Sequence, residues 1–479
     1  MLLSFLFFLA LFMVIGVSSA FFSENTKHDY YLASKSIHPA LVGLSAVATN
    51  NSGYMFIGAI GYTYVAGLSS IWLMVGWILG DFMTSFIVHS RLRDAAERSG
   101  ESTYVGVINH WFQNHPGSRI LQSLMALISL TFLMAYAGAQ FVAGSKALFV
   151  LFHWPLWCGA ALGAVLVLVY CISGGIRASI WTDAAQSLVM IVSMSLLLYV
   201  AVDSLGGVHA AVQSMDKFPG FLDWVPADLP VPGIAGGLLF IAGWFFAGFS
   251  VIGQPHIMVR FMVLNDPDNM FKARCWYYLW FFIFYSMTIC VGMLSRVYLT
   301  NQASFDAELA LPTMALHLLH PIFVGLILAG IFAATMSTAD SIILSCSASL
   351  THDLLPMRLE SPAALKAVTA LVTVFALGWA LSNKQSVFSL VIMAWSSLAS
   401  AFAPLLLFRC FRLRTGTVVS VVAIVLGLGV SIVWRLLGWQ NYIYEGMPGM
   451  CSGLIFLSVA YLVERTVRSS SEVALEAAK

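Results

Sequence analysis

Long apolar stretches recur along the whole chain, and they are too many to be buried in a water-soluble core. Of the 479 residues, 60% are hydrophobic and only 9% are charged. A bilayer core of roughly 30 Å is crossed by a helix of about 20 residues, so the pattern predicts an all-α, polytopic membrane protein with about thirteen transmembrane helices. The predicted spans are residues 2–22, 40–60, 66–90, 120–150, 154–173, 179–202, 231–254, 275–298, 311–348, 363–382, 387–409, 416–437 and 442–464.

The basic residues are distributed unevenly between the two ends of these spans. With the N-terminus outside, most of the 23 Lys and Arg residues, Arg260 among them, fall in inner loops, as the positive-inside rule requires. The balance of 23 basic against 22 acidic residues argues against a nucleic-acid partner. We expect a multi-pass protein of the cell inner membrane with a cytoplasmic C-terminus, and nothing in the sequence requires an oligomer.

The first apolar stretch has a second interpretation, as a cleavable secretory signal ending near Ala20. Such a signal begins with basic residues, and this stretch has none. Cleavage would also place Lys27 and Lys35 outside, against the excess of basic residues in the inner loops. A first transmembrane helix is therefore the favoured interpretation.

Two of the predicted helices contain residues that interrupt helical hydrogen bonding. The second carries the polar run ATNNSG at 48–53, and the seventh contains Gly248 and ends in GQPH at 253–256. Polar side chains compete for backbone hydrogen bonds, and proline removes a donor. Each broken helix begins a set of five helices. Because five is an odd number, the second set is inserted upside down relative to the first, and such inverted repeats are typical of secondary transporters. The alternative is that small residues merely permit close helix packing.

This division predicts the organisation of the chain. The segments are 1–39, an N-terminal helix and inner loop; 40–202, the first five-helix repeat; 203–230, an outer loop; 231–409, the second, inverted repeat; 410–466, two C-terminal helices; and 467–479, a disordered cytoplasmic tail.

Three carboxylates lie inside predicted spans, at Asp81, Asp183 and Asp340. Inserting such a side chain into the membrane costs about 2.5 to 3.5 kcal/mol of free energy if it lies at the bilayer centre. This cost makes a functional role the first hypothesis. Structural ion pairing is the alternative, but no Lys or Arg is predicted at mid-membrane to serve as a partner.

A stripe of hydroxyl groups follows one face of the ninth predicted helix. Positions 334, 337, 338, 341 and 345 share that face at helical spacing. Dense oxygen ligands suit a hard cation, and we extend this rule from calcium and magnesium to sodium. Hydroxyls can also join helices by hydrogen bonds.

Several short motifs together resemble one family. They are DYYL at 29–32, LSA at 44–46, SG at 52–53, WTD at 181–183, GQPHI at 253–257, RFM at 260–262 and MST at 336–338. On these motifs the chain resembles the sodium/solute symporter family along nearly its whole length. The resemblance implies a leucine-transporter-like fold of 5+5 inverted repeats, with one extra N-terminal and two C-terminal helices, and alternating access coupled to sodium.

The resemblance also implies a sodium site between the broken second helix and the ninth helix. Its ligands would be the backbone carbonyls of Ala48, Asn51 and Ala334 and the hydroxyls of Ser337 and Thr338. A second cation site, found in some members, would use Asp183, Ser337, Asp340 and Ser341. Asp340 replaces a serine of the family and adds a negative charge.

The predicted substrate site lies beside the two breaks. A related member has an aspartate at the position of Asn50, which leaves the ion affinity and ion identity open. Gln140 lies one turn after Tyr136, and a helix-to-helix hydrogen bond is an equal alternative for it. The predicted substrate-binding residues are Asn50, Ser52, Gly53, Tyr136, Gln140, Trp244, Ala247, Val251 and Pro255.

The sequence thus predicts a sodium-coupled symporter for a small organic solute, either an amino acid such as proline or a short carboxylate or vitamin. A proton-coupled carrier is the nearest alternative, because of Asn50, Asp81 and Asp340. A transporter-like solute sensor is a third possibility. An enzyme is not expected, because HExxH and GxSxG are absent and His110 and His115 lie in a loop without a partner pattern.

Overall fold

The computed structural model describes residues 1–24, 26–112, 116–299, 305–355, 359–382 and 385–477. His115 lies outside the described residues. The helices are α1 (Leu2–Ser18), α2 (Lys27–Leu32), α3 (Pro39–Asn50), α4 (Ile60–Ala66), α5 (Ile71–Ser99), α6 (Tyr104–His110), α7 (Ser118–Phe152), α8 (Leu156–Ser204), α9 (Val208–Met215), α10 (Gly233–Phe249), α11 (Pro255–Met262), α12 (Met270–Tyr298), α13 (Ala310–Leu318), α14 (Pro321–Ala348), α15 (Pro362–Ser382), α16 (Val387–Cys410), α17 (Thr417–Leu436) and α18 (Gly446–Ala477).

Within the described ranges, eleven helical segments are long and apolar enough to cross a membrane. The predicted count of thirteen is not reproduced by this criterion, for two reasons. The 49-residue α8 covers two predicted spans and bends between them at Gly175, where φ is 55° and ψ is −137°. The 12-residue α3 is too short to cross alone. The helix α18 continues to Ala477, into the segment predicted to be a cytoplasmic tail.

The bend in α8 is fixed by the short helix α2. A Cβ atom at Gly175 would lie 2.4 Å from the carbonyl oxygen of Tyr30, so only glycine fits. Next to the bend, Arg177 Nη2 lies 2.6 Å from Asp29 Oδ1. Burial alone would raise the pKa of Asp29, but hydrogen bonds from Arg177 and from the Glu24 amide lower it below its usual range.

The second predicted helix is interrupted in the polar run, as predicted. The helix α3 ends at Asn50, and Asn51 has a non-helical φ of −88° and ψ of 45°. After this gap the chain continues through a π-helical turn, Met55–Ala59, into α4. Because the helix is interrupted here, backbone carbonyls at the end of α3 lack the hydrogen-bond donors that a continuous helix would supply.

The seventh predicted helix is also interrupted, but not at Gly248. The helix α10 is continuous to Phe249, a 3-10 turn follows at Ser250–Gly253, and Gln254 is extended before α11 begins at Pro255. A Cβ atom at Gly248 would lie 2.4 Å from the carbonyl oxygen of Trp77. The prediction that Gly248 breaks the helix is therefore wrong, because its role is to let α10 approach α5 closely.

Candidate functional site

The helix α14 packs its hydroxyl stripe against the interrupted end of α3. The hydroxyl of Ser337 lies 3.1 Å from the carbonyl oxygens of both Ala48 and Ala334. The hydroxyl of Thr338 donates to the Thr49 carbonyl oxygen at 2.9 Å. Four of the five residues predicted as sodium ligands are thus brought together across two elements. The fifth, Asn51, follows α3 with non-helical torsion angles.

The gap after α3 is held open by a glutamine on α7. The backbone amide of Gly53 donates to Gln140 Oε1 at 2.9 Å. A Cβ atom at Gly53 would lie 2.4 Å from Thr335 Cγ2, so a larger residue would push α14 away. The Oε1 atom of Gln140 therefore accepts a hydrogen bond from the backbone. The Nε2 atom of the same side chain is buried with no hydrogen-bond partner among the described residues. Ser52 accepts a hydrogen bond from the Tyr54 amide at 3.2 Å.

An aromatic group next to this gap contains buried polar atoms. The ring of Tyr136 lies 5.4 Å from that of His256 and 6.5 Å from that of Trp395, measured between centroids. The Tyr136 hydroxyl lies next to the polar atoms of Ser52 and Trp395. In the part of the chain that is described, both His256 ring nitrogens have no hydrogen-bond partner. Buried polar groups normally have one, so these atoms are candidates for contact with a solute.

Sequence reasoning missed His256 and Trp395 as members of this group. His256 stood inside the GQPHI motif, where its position after the break was an available signal. Trp395 lies on α16 within an apolar run, and no local pattern distinguishes it from a core residue.

The remaining predicted substrate residues do not all join this group. Trp244 instead contacts Tyr62 edge to face at a centroid distance of 5.8 Å and stacks with Tyr444 at 6.4 Å. Ala247 and Val251 are completely buried. A fourth, Asn50, donates from its side-chain amide to the hydroxyl of Tyr277 on α12, and the last, Pro255, lines a cavity of about 20 Å³ that also contacts Arg260 and Ser341.

The most important correction concerns Arg260. The sequence placed it in an inner loop and found no basic partner for the intramembrane carboxylates, and both statements are wrong. Arg260 lies on α11 and is completely buried. Its Nη2 is 3.6 Å from Asp183 Oδ2 on α8 and 3.6 Å from Asp340 Oδ1 on α14. The short half-helix α11 carries the guanidinium inward, which span counting does not reveal.

Hydroxyl groups complete this cluster. Ser45 donates to Asp183 Oδ2 at 2.6 Å, and Ser179 and Ser341 donate to Asp340 Oδ1 at 2.8 Å and 2.9 Å. Arg260 also donates to the hydroxyls of Ser179 and Ser341. Of the residues predicted as a second cation site, Asp183, Asp340 and Ser341 come together around a guanidinium, whereas the hydroxyl of Ser337 contacts Ala48 and Ala334.

The third intramembrane carboxylate lies apart from this cluster. Asp81 on α5 is completely buried. The nearby hydroxyls belong to Tyr277 and Tyr278. Since Tyr277 also receives the Asn50 amide, Asp81 is one side chain away from the gap in the second helix.

Comparisons with known proteins agree with this fold. The sequence model of the sodium:solute symporter family matches residues 30–427. The chain belongs to this family. The symporter is 28% identical over 468 residues to the sodium/proline symporter of Escherichia coli, covering 92% of this chain and 89% of that protein. It is 30% identical to the sodium/proline symporter of Staphylococcus aureus over 480 residues, covering 95% and 90%.

A solved structure supports the same architecture. The substrate-bound outward-open state of a sodium-coupled sialic acid symporter superimposes on this symporter with a TM-score of 0.79, covering 96% of this chain and 97% of that one at 18% identity. At that identity the likeness establishes the fold alone. The predicted all-α, leucine-transporter-like fold is thereby confirmed.

Proposed function

We propose that this protein carries a small organic solute into the cell together with sodium, and that the solute is an amino acid such as proline. The curated relatives named as sodium/proline symporters support the solute class. The Tyr136, His256 and Trp395 group supplies the donors and apolar ring faces that a small zwitterion requires. We place the protein in the inner membrane, with the N-terminus outside and the C-terminus in the cytoplasm, and its function is transport rather than catalysis.

The observation that carries the proposal is the contact between α14 and the gap after α3. Two hydroxyls of α14 lie within 3.1 Å of carbonyl oxygens of α3. Each hydroxyl keeps its lone pairs when it donates its hydrogen, so the oxygens of Ser337, Thr338, Ala48 and Ala334 are available to a small hard cation. We place one sodium ion there, with the Asn51 carbonyl as its fifth ligand.

We further propose that no second sodium binds at Asp183 and Asp340. A second sodium would have to share these carboxylates with Arg260, which already lies 3.6 Å from both. Two carboxylates and one guanidinium leave one negative charge, which a proton on either acid can neutralise. Arg260 thus acts as a permanent cation in place of an exchangeable one.

The test is uptake of radiolabelled proline into proteoliposomes that contain the purified protein. We expect an inward sodium gradient to drive accumulation. The uptake rate should saturate with sodium concentration, and one sodium ion should be carried per transport cycle. Ser337→Ala and Thr338→Ala each remove a ligand oxygen worth about 1.5 to 3 kcal/mol, which weakens the apparent sodium affinity by roughly 10- to 150-fold. The control is Thr131→Ala, since this hydroxyl donates only to its own helix, to Leu127 at 2.9 Å.

Three outcomes would count against the proposal. Uptake driven equally well by a pH gradient in sodium-free buffer would favour proton coupling. Unchanged sodium activation in both hydroxyl variants would move the ion site elsewhere. Failure of proline alone, with sodium-driven uptake of another amino acid, short carboxylate or vitamin, would keep the coupling and reject the solute.

A further inference from the structure

A strongly basic pocket opens at the predicted cytoplasmic end of the molecule, away from the ion and solute sites. It has a volume of about 660 Å³ and lies between the end of α5, the end of α6 and the segment after α16. We call it the arginine pocket. Its lining consists of Arg91, Asp94, Ala95, Arg98, His110, Trp111, Arg409, Cys410, Arg412, Leu413 and Arg414.

The positive charge of the arginine pocket is not balanced by the protein. Five arginines face one aspartate, Asp94. Across the described residues, none of these five arginines forms an ion pair. Four arginines elsewhere in the described residues do pair, namely Arg93, Arg177, Arg260 and Arg435. Like charges gathered in a concave surface raise the local potential, so the pocket attracts an anion.

The pocket is built by specific contacts rather than by loose surface side chains. Arg91 Nη1 donates to the Cys410 carbonyl oxygen at 2.7 Å, which joins α5 to the end of α16. Arg409 Nη2 donates to the Thr415 carbonyl oxygen at 3.0 Å, and its guanidinium lies 3.9 Å from the centre of the Phe112 ring. Arg409 Nε is buried without a hydrogen-bond partner in the described part. Two guanidinium groups are thus held in place before any ligand arrives.

Apolar side chains border the same pocket. Phe411 follows α16 directly and is 55% exposed, and the Arg91 guanidinium lies 5.8 Å from its ring centre. Trp111 and Leu413 line the pocket. A soluble anion gains nothing from exposed aromatic and aliphatic groups, whereas a lipid places its headgroup among the arginines and its acyl chains along them.

We propose that the arginine pocket binds the phosphate headgroup of an anionic phospholipid of the cytoplasmic leaflet. Guanidinium groups bind phosphodiester oxygens through paired, charge-assisted hydrogen bonds. The bound lipid would connect α5 with the segment after α16 and thereby support the symporter from the membrane side. This site is separate from the solute and sodium sites, so it can fail without affecting the proposed function.

The test uses the full-length protein, delipidated in a neutral detergent. Binding of short-chain phosphatidylglycerol is measured by native mass spectrometry and by the shift in thermal unfolding temperature, with phosphatidylcholine as the neutral lipid. The variant is Arg98→Gln with Arg414→Gln, because both side chains are exposed and their loss leaves the core intact. Each arginine near a lipid surface contributes about 1 kcal/mol, so phosphatidylglycerol affinity should fall roughly 30-fold.

The control removes two charges from the same predicted face outside the pocket, by Lys272→Gln with Lys366→Gln, and should retain the wild-type affinity. Equal loss in this control would show that only general surface charge acts, and would overturn the proposal. An equal thermal shift from inorganic phosphate would also overturn it, since the pocket would then take a soluble anion. Equal binding of phosphatidylcholine and phosphatidylglycerol would contradict it as well.

Discussion

Removing the buried guanidinium should be far more damaging than removing one of its two acidic partners. Arg260→Gln leaves Asp183 and Asp340 buried together with no positive charge between them. Asp340→Asn instead leaves one carboxylate with one guanidinium, which balance. If Arg260 serves as a permanent cation, the two variants therefore differ in stability even though each loses one charged group.

The distances set the size of this difference. Opposite unit charges at the observed 3.6 Å attract by about 4 to 5 kcal/mol at an effective dielectric constant of about 20. Arg260→Gln loses this attraction twice, and breaking a buried pair costs about 3 to 5 kcal/mol after protonation and relaxation. Asp340→Asn loses it once but also removes the repulsion between the carboxylates, so we expect a cost below about 2 kcal/mol. The double variant, Arg260→Gln with Asp340→Asn, should be more stable than Arg260→Gln alone.

The assay is thermal unfolding of the purified protein in detergent, in sodium chloride and in choline chloride. We expect sodium to restore part of the stability of Arg260→Gln, since a cation can then occupy the space between the carboxylates. As a control, Arg435→Gln breaks the Arg435 and Glu445 pair and should gain no sodium dependence. If Asp340→Asn is as harmful as Arg260→Gln, or if the double variant is the least stable, the charge argument is wrong.

Two other features give simple predictions. Gly53→Ala should lower sodium-driven uptake about tenfold, because its Cβ would lie 2.4 Å from Thr335 Cγ2; Gly378→Ala, with no atom within 4 Å of the new Cβ, should leave uptake unchanged. Asp29→Asn should lower the unfolding temperature at neutral pH. Because Arg177 helps to hold the pKa of Asp29 below its ordinary 3.8, the ion pair stabilises the protein above that value and is lost as the pH falls through the lowered pKa. Wild type and variant should then converge in acid, and a constant difference at every pH would contradict this.

The parts of the site that could be predicted are those encoded by local sequence. The run at 48–53 and the GQPH motif at 253–256 carry residues that disfavour helix, and both interruptions are present. The local sequence at Gly248 also predicts an interruption, but the helix is continuous there. This glycine instead lets α5 pack closely against α10. A glycine therefore indicates a break only together with a polar or proline neighbour.

The role of Arg260 could not be predicted, because it depends on three helices distant in sequence. From the sequence alone, the charge of Arg260 predicts that the segment PHIMVRFM at 255–262 lies at the edge of a loop. In the structure the same residues form the half-helix α11, which is completely buried along its length except for slight exposure at Val259. Its acidic partners lie on α8 and α14, and only the inverted arrangement of the two broken helices brings all three together. His256 and Trp395 meet for the same reason.

The two broken helices are connected through Ser341, and this connection suggests how sodium affects the conformation. The hydroxyl of Ser341 lies 3.0 Å from that of Thr49 on α3 and also contacts Arg260 on α11. On the proposed site, sodium would join α3 to α14 only while it is bound, and it would then favour the state in which these elements touch. If Arg260 acts as the permanent cation proposed above, it keeps α11 joined to α14 whether or not sodium is bound. Spin-label distances between α3 and α14 should therefore change when sodium is removed, whereas those between α11 and α14 should not. A sodium-dependent change between α11 and α14 would show that Arg260 is itself an exchangeable contact.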